Sequence, residues 1–237
     1  LAYWLTELGQ KNIVGLEKSS VIPSDIASTA HASDFVYTTT HDKLGCWTTD
    51  FSRKFYEDNG FFLKKGGLEI CRKDDDARWE ELKRKVSSGK AFGTNIRLIS
   101  ASEAKEKFPL LDEDSIRGAM WDPDAGLVTP RSQDVVSFAV ETAKEKGALR
   151  TFTETPAIDF EIEDGRITGV KTDKGIIKTN KVVIASGIWG PLMGKKAGVP
   201  VPLMPLEHPL LFFGPLPEAQ GAEAVSYTHL RAHETIN

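Results

Sequence analysis

The sequence predicts an α/β (α+β) fold in which a parallel sheet with crossing helices is interrupted by an antiparallel sheet. Three observations predict it. The apolar run Asn12-Ile13-Val14-Gly15-Leu16 follows a helix-like start and ends in an acid, Glu17. An amphipathic segment at 131–147 leads into three short β-like segments punctuated by turn residues. Next comes Lys181-Val182-Val183-Ile184-Ala185, a continuous apolar run of the kind buried on both faces of a parallel sheet.

Residues 1–9 carry apolar side chains at helical spacing with Gly9 as a stop, and read as the second half of a helix. In a dinucleotide-binding fold a strand and a Gly-rich phosphate turn precede that helix. The chain is therefore expected to begin just after its own phosphate loop, and as it stands to fold poorly, hold its cofactor weakly and be inactive. Phe35-Val36-Tyr37-Thr38-Thr39 is β-branched and aromatic, hence extended. Within 43–57, Trp47, Phe51, Phe55 and Tyr56 recur at spacings near four, as in a helix with its aromatic face in the core. Residues 61–71 read as strand, turn and strand, broken at Gly66-Gly67. Residues 74–86 form a charged amphipathic helix. Its Asp74-Asp75-Asp76 cluster suits the positive N-terminal end of that helix, not a metal ion.

A short helix at 102–108 stops at Pro109. Asp122-Pro123-Asp124-Ala125-Gly126 is a turn. The helix at 131–147 places Val135, Val136, Phe138, Ala139 and Ala143 on its apolar side. Strands at 157–163, 167–172 and 176–179 are joined by Asp164-Gly165 and Lys174-Gly175.

Of the 237 residues, 40% are hydrophobic and 27% charged, with a formal net charge of −4. That composition is globular. It offers no basic stripe for nucleic acid and no run near the ~20 apolar residues of a membrane helix. Cys46 and Cys71 fit neither a metal-ligand spacing nor a disulfide framework, which suits a reducing compartment. Residues 224–237 share no periodicity with what precedes them. They read as the in-frame translation of a sequencing-library adapter, so His229 and His233 are set aside despite their metal-like spacing.

The chemistry-bearing residues fall into a few groups. A carboxylate at a strand end, as at Glu17, accepts hydrogen bonds from both hydroxyls of an adenosine ribose. The loop Ala27-Ser28-Thr29-Ala30-His31-Ala32-Ser33 has small side chains that allow close approach, with Ser28 and Thr29 as donors for a pyrophosphate and His31 as a lone imidazole. Ala185-Ser186-Gly187 is a small-residue strand end followed by Trp189-Gly190-Pro191, which a buried strand and turn alone would not require. Tyr37 and Trp121 suit a ligand pocket or a core equally.

Together these segments resemble the FAD-dependent oxidoreductases of the D-amino-acid oxidase superfamily, in particular the dimethylglycine and sarcosine dehydrogenases. The family loop more often reads Gly-Ser-Thr-x-His-Ala-x-Gly, whereas Ala27 and Asp34 replace the glycines here. The resemblance implies a Rossmann-like FAD-binding domain (1–40 and 131–198) interleaved with an antiparallel-sheet substrate domain (41–130 and 199–223), residues 224–237 being a non-native tail. It implies FAD held by Glu17, Lys18, Ser28, Thr29, His31, the Ala157 backbone, Ala185, Ser186, Gly187 and Trp189, with His31 able to bond covalently to the flavin. It places His208, of Pro205-Leu206-Glu207-His208, beside the flavin as a catalytic base or hydrogen-bond acceptor. Family members usually continue with Gln-Tyr, and this chain has Pro209-Leu210.

The implied reaction is oxidation of the C–N bond of a secondary or tertiary amine, such as an N-methylated glycine, by hydride transfer to flavin. The implied partners are the amine, an electron-transfer flavoprotein or oxygen as acceptor, and folate through further C-terminal domains, in the cytoplasm or the mitochondrial matrix. The alternative is a non-catalytic regulatory or scaffold protein on the same fold.

Overall fold

Residues 1–206 and the backbone of Val225–Tyr227 are described by the structure, a computed structural model. By its contacts the chain divides into two units. Unit 1 takes Leu1–Ser33 and resumes at Ser132; unit 2 takes Asp34–Arg131 and is joined by the strand at Val225–Tyr227.

In unit 1, helix α1 (Ala2–Glu7) packs on α5 (Ser132–Glu145), with the Tyr3 and Phe138 rings 6.1 Å apart and Glu7 ion-paired to Lys146. Strand β1 (Ile13–Leu16) runs parallel to β8 (Leu149–Phe152), Ile13 opposite Leu149 and Leu16 opposite Phe152. Strands β9 (Ala157–Glu163), β10 (Arg166–Thr172) and β11 (Gly175–Lys178) form an antiparallel meander. The β9–β10 turn puts Asp164 and Gly165 both at positive φ, 49° and 73°, as a two-residue hairpin turn with right-handed strand twist requires. Helix α6 (Gly190–Lys196) has Pro191 in its first turn, where the missing N–H costs nothing. Phe160, Val170 and Met193 form the buried cluster of this unit, with Leu16, Ala157, Ile167, Val182 and Ala197 packed around it.

In unit 2 the sheet order is β12-β4-β6-β5: β4 (Gly67–Arg72), β6 (Ile116–Asp122) and β5 (Arg97–Ser100) are antiparallel, while β12 (Val225–Tyr227) runs parallel to β4. A second sheet of β2 (Phe35–Val36), β7 (Gly126–Val128) and β3 (Phe62–Lys64) is antiparallel throughout. Because alternate strand residues face opposite sides, Leu68 and Ile70 pack with Ala104 of α4 (Ala101–Lys107). Cys71 and Met120 pack with Leu82 and Val86 of α3 (Asp76–Ala91). Helix α3 is capped by Asp75, whose carboxylate accepts the Arg78 N–H at 2.8 Å, so the acidic cluster sits at a helix start. Helix α2 (Lys43–Asp58) is capped in the same way by Asp42. Cys46 and Cys71 are buried and unlinked.

Two expectations are corrected. Residues 181–185 form no strand: Val182 packs into the unit 1 cluster, but Val183 is 64% and Ile184 37% exposed. A strand buried on both faces needs a ladder partner for its N–H and C=O groups, and among the described residues β1 and β8 pair only with each other. The aromatic face of α2 is not a core face throughout, since Trp47 and Phe51 stack on each other at 5.6 Å and are largely exposed. Strands β5 and β8 carry too few alternating positions to stand out from sequence, and pairing with β6 and β1 makes them strands.

Candidate functional site

The site is built at the C-terminal end of the β1–β8 pair, the end at which open α/β sheets bind ligands. The Glu17 N–H donates to the Phe152 carbonyl and the Glu17 carbonyl accepts the Thr155 N–H, both at 2.9 Å, so the ladder runs one residue past β1. The Glu154 N–H donates to the Ser19 carbonyl at 2.9 Å, and the two loops leave the sheet as a bonded pair. Within this turn the Ser19 N–H donates to Glu17 Oε1 at 2.8 Å. That bond fixes the carboxylate. Its other oxygen has no hydrogen-bond partner among the described residues. Ser19 and Ser24 hydroxyls are 2.8 Å apart, and Lys174 Nζ lies 3.2 Å from the Thr155 hydroxyl, bracing the turn on both sides.

Lys18 Nζ stands 4.3 Å from the centroid of the Trp189 ring, a cation–π contact that joins the β1 turn to the 185–190 segment. Trp189 is set by a short 3-10 turn, Gly187–Trp189, in which its N–H donates to the Ser186 carbonyl at 3.0 Å. Gly187 has φ of 52°, a conformation that side chains other than glycine rarely adopt. The Ser186 hydroxyl oxygen is buried without a hydrogen-bond partner among the described residues. A buried polar atom left unpaired is uncommon in folded proteins and calls for a ligand or a water.

The structure thus brings Glu17, Lys18 and Trp189 together, and places Ala157 with Leu16 and Val182 on one cluster. Ala157 opens β9 opposite Thr172, while Ala185 and Gly187 are exposed. Ser28, Thr29 and His31 lie on another short 3-10 turn, Ser28–His31, which packs against α5. His31 and Ser28 are exposed there, and no hydrogen bond or ion pair among the described residues links them to Glu17 or Trp189. His208 lies outside the described residues. Trp121 belongs to the core: its ring occupies the space a Cβ on Gly66 would need, and Lys107 Nζ lies 4.4 Å from the ring centroid. Sequence reasoning missed Ser19, Ser24 and Thr155, which brace the turn that carries Glu17. The available trace was the pair of polar runs Lys18-Ser19-Ser20 and Thr153-Glu154-Thr155, two turns that the fold bonds to each other.

A strand-end carboxylate and a buried serine hydroxyl, each with an oxygen unpartnered among the described residues, and a glycine turn leading into Trp189 are features suited to a dinucleotide-binding α/β protein, and these donors and acceptors fit FAD. The comparisons agree. The family model for FAD dependent oxidoreductases matches residues 1–235, and the chain belongs to that family. It is 31% identical to human mitochondrial sarcosine dehydrogenase over 66% of this chain and 17% of that protein. It is 28% identical to the mouse mitochondrial pyruvate dehydrogenase phosphatase regulatory subunit over 88% of this chain and 24% of that protein. It is 26% identical to rat mitochondrial dimethylglycine dehydrogenase over 93% of this chain and 26% of that protein. Among solved structures, L-proline dehydrogenase from P. horikoshii superposes with a TM-score of 0.74 at 30% identity, covering 84% of this chain and 52% of that one. The chain therefore spans about a quarter or less of these curated relatives. No helix among the described residues is long and apolar enough to cross a membrane.

Proposed function

We propose that the protein oxidises the C–N bond of a secondary or tertiary amine, an N-methylated glycine being the representative substrate. The observation that carries this reading is the Glu17–Lys18–Trp189 arrangement at the β1 end, in a chain of the FAD-dependent family. FAD, when bound, supplies the acceptor for the hydride lost from carbon. Glu17 accepts ribose hydroxyls on the oxygen that Ser19 leaves open. The Lys18 ammonium offsets pyrophosphate charge while Trp189 screens it from water. Ser186 donates its unpaired hydroxyl and the Gly187 turn admits backbone to the cofactor. The Ser28–His31 turn supplies the remaining hydroxyl donors, and His31 is the residue to which FAD would be joined covalently. His208 accepts the amine proton, because loss of hydride from carbon requires the neutral amine.

The substrate and the fate of the electrons rest on likeness to relatives that act on sarcosine and dimethylglycine. Anaerobic mixing of the full-length flavin-loaded protein with sarcosine and with dimethylglycine tests this reading. Bleaching of the flavin absorbance with formation of the demethylated amine supports it; a flavin that no N-methyl amine reduces overturns it. Likeness to a phosphatase regulatory subunit favours a second, non-catalytic reading. A protein without flavin and without turnover would select that one.

A further inference from the structure

Asp34 lies three residues beyond the Ser28–His31 turn with φ of 61°, in the left-handed region. Glycine adopts that conformation freely, and aspartate is one of the few residues with a side chain that tolerate it. It is also the position at which the family loop more often has glycine. A carboxylate therefore stands where the backbone alone calls for no side chain.

Backbone and side chain of this residue are both held. Its carbonyl accepts the Val128 N–H at 2.7 Å, next to the β2–β7 ladder that starts at Phe35 and Leu127. Its side chain is 9% exposed, and Oδ2 stands 2.7 Å from Arg131 Nε, an ion pair in which the Nε–H is not aligned as a hydrogen bond. A carboxylate so withdrawn from water is stabilised by a cation. Arg131 is the residue just before α5, and the chain passes between the units at 33–34 and at 131–132. The pair thus joins the unit 2 ends of both crossings. The Ser28–His31 turn packs on α5, and among the described residues no side-chain hydrogen bond caps it. Its Ala30 N–H donates to the Ala27 carbonyl at 2.9 Å, and the Ala32 N–H reaches the Thr29 carbonyl only at 3.3 Å.

We propose that Asp34 is a positioning residue: paired with Arg131, its carboxylate fixes the downstream end of the Ser28–His31 turn and so sets how Ser28, Thr29 and His31 are presented to FAD. Glycine would satisfy the same φ and leave that end unpinned. The inference rests on the reading of this turn as part of the FAD site.

FAD binding to full-length protein prepared without flavin tests it, read by quenching of flavin fluorescence in a His31→Ala background that keeps binding reversible. Asp34→Gly and Arg131→Met should each raise the dissociation constant about five-fold or more, with Arg131→Lys within roughly two-fold of the background. Asp34→Gly removes the carboxylate and the backbone strain together, so the urea midpoint of the flavin-free protein should not fall with FAD affinity. Should Arg131→Met fail to fold by circular dichroism, Asp34→Gly decides alone. FAD affinity unchanged in folded Asp34→Gly, a urea midpoint that falls in step with FAD affinity in that variant, or an equal loss in Arg131→Lys and Arg131→Met each overturns the proposal. The two readings fail differently. No FAD uptake by the natural sequence and the His31→Ala background alike overturns the flavin reading and this one with it, whereas uptake indifferent to residue 34 overturns this one alone.

Discussion

The two units differ in how they bury apolar surface. In unit 2, Leu68, Leu82, Ile96, Ala119 and Met120 are 2% exposed or less, and the sheet is covered by α3 on one side and α4 on the other. In unit 1 the buried cluster is three residues, while Phe152, Val183, Ile188 and Trp189 lie 46–64% exposed around the β1–β8 end. Unit 2 is held by its own side chains. Unit 1 leaves more apolar chain exposed, near the β1–β8 end and also elsewhere, as at Leu8, Ile26, Ile176 and Val199. The larger buried core and the candidate cofactor site thus lie in different parts of the chain.

Truncation separates them most sharply. Leu82→Ala removes a fully buried side chain and should cost about 2–5 kcal/mol in urea unfolding. Val183→Ala, on exposed chain, should stay within about 0.5 kcal/mol in flavin-free protein. A large loss for Val183→Ala would show that the 181–185 run is buried after all.

Asp122 sharpens the comparison next. It is 2% exposed and accepts the Thr38 N–H at 2.6 Å, the Thr38 hydroxyl and the Asp124 N–H. Burial pushes its carboxyl up, against the opposing pull of those hydrogen bonds. The folded state therefore holds the proton more tightly than the unfolded chain. Its contribution is best at acid pH and is lost as pH rises from the ordinary carboxylate range through the folded value. Asp122→Asn should flatten that decline, visible in urea midpoints taken between acid and neutral pH. It should also cost about 1–3 kcal/mol, because the Asn amide end cannot accept the bonds it replaces.

The Ser100 hydroxyl accepts the Glu103 N–H at 3.1 Å and caps α4, so Ser100→Ala should cost about 1 kcal/mol. Smallest is Lys18→Ala, which removes the contact on Trp189 and should cost about 0.5–1 kcal/mol in stability. It should shift the Trp189 fluorescence and weaken FAD retention more than it weakens the fold. Equal effects on both would contradict a binding role for Lys18.

Much of this was legible in the sequence where local signals agree with tertiary pairing. The meander declared itself through Asp164-Gly165, whose positive φ values only a tight hairpin demands, and α3 through the acids at its start. The candidate site was legible only as single residues at element ends. Trp189 stands out because Gly-x-Trp-Gly-Pro is more than a buried strand and turn require, whereas an acid after a strand, as at Glu17, is common on surfaces and gains meaning only from its surroundings. What failed were statements about partners. Val182-Val183-Ile184 has the composition of a central strand, but composition cannot supply the neighbours a ladder needs. Trp47 and Phe51 have core-like spacing, and spacing does not say what lies opposite. Nor did it expose the buried ion pairs of Glu69 with Arg78 and Lys85, since an acid inside a β-strand acquires meaning only when helix α3 lies across it.

The most direct test is to precipitate the full-length protein with acid and measure flavin absorbance in pellet and supernatant, for the natural sequence and for His31→Ala. The account predicts flavin with the natural protein, in the pellet, and moved to the supernatant by His31→Ala. Flavin in the supernatant from the start would keep FAD and remove His31 as its tether. Protein with no flavin in either fraction would contradict the account at its centre.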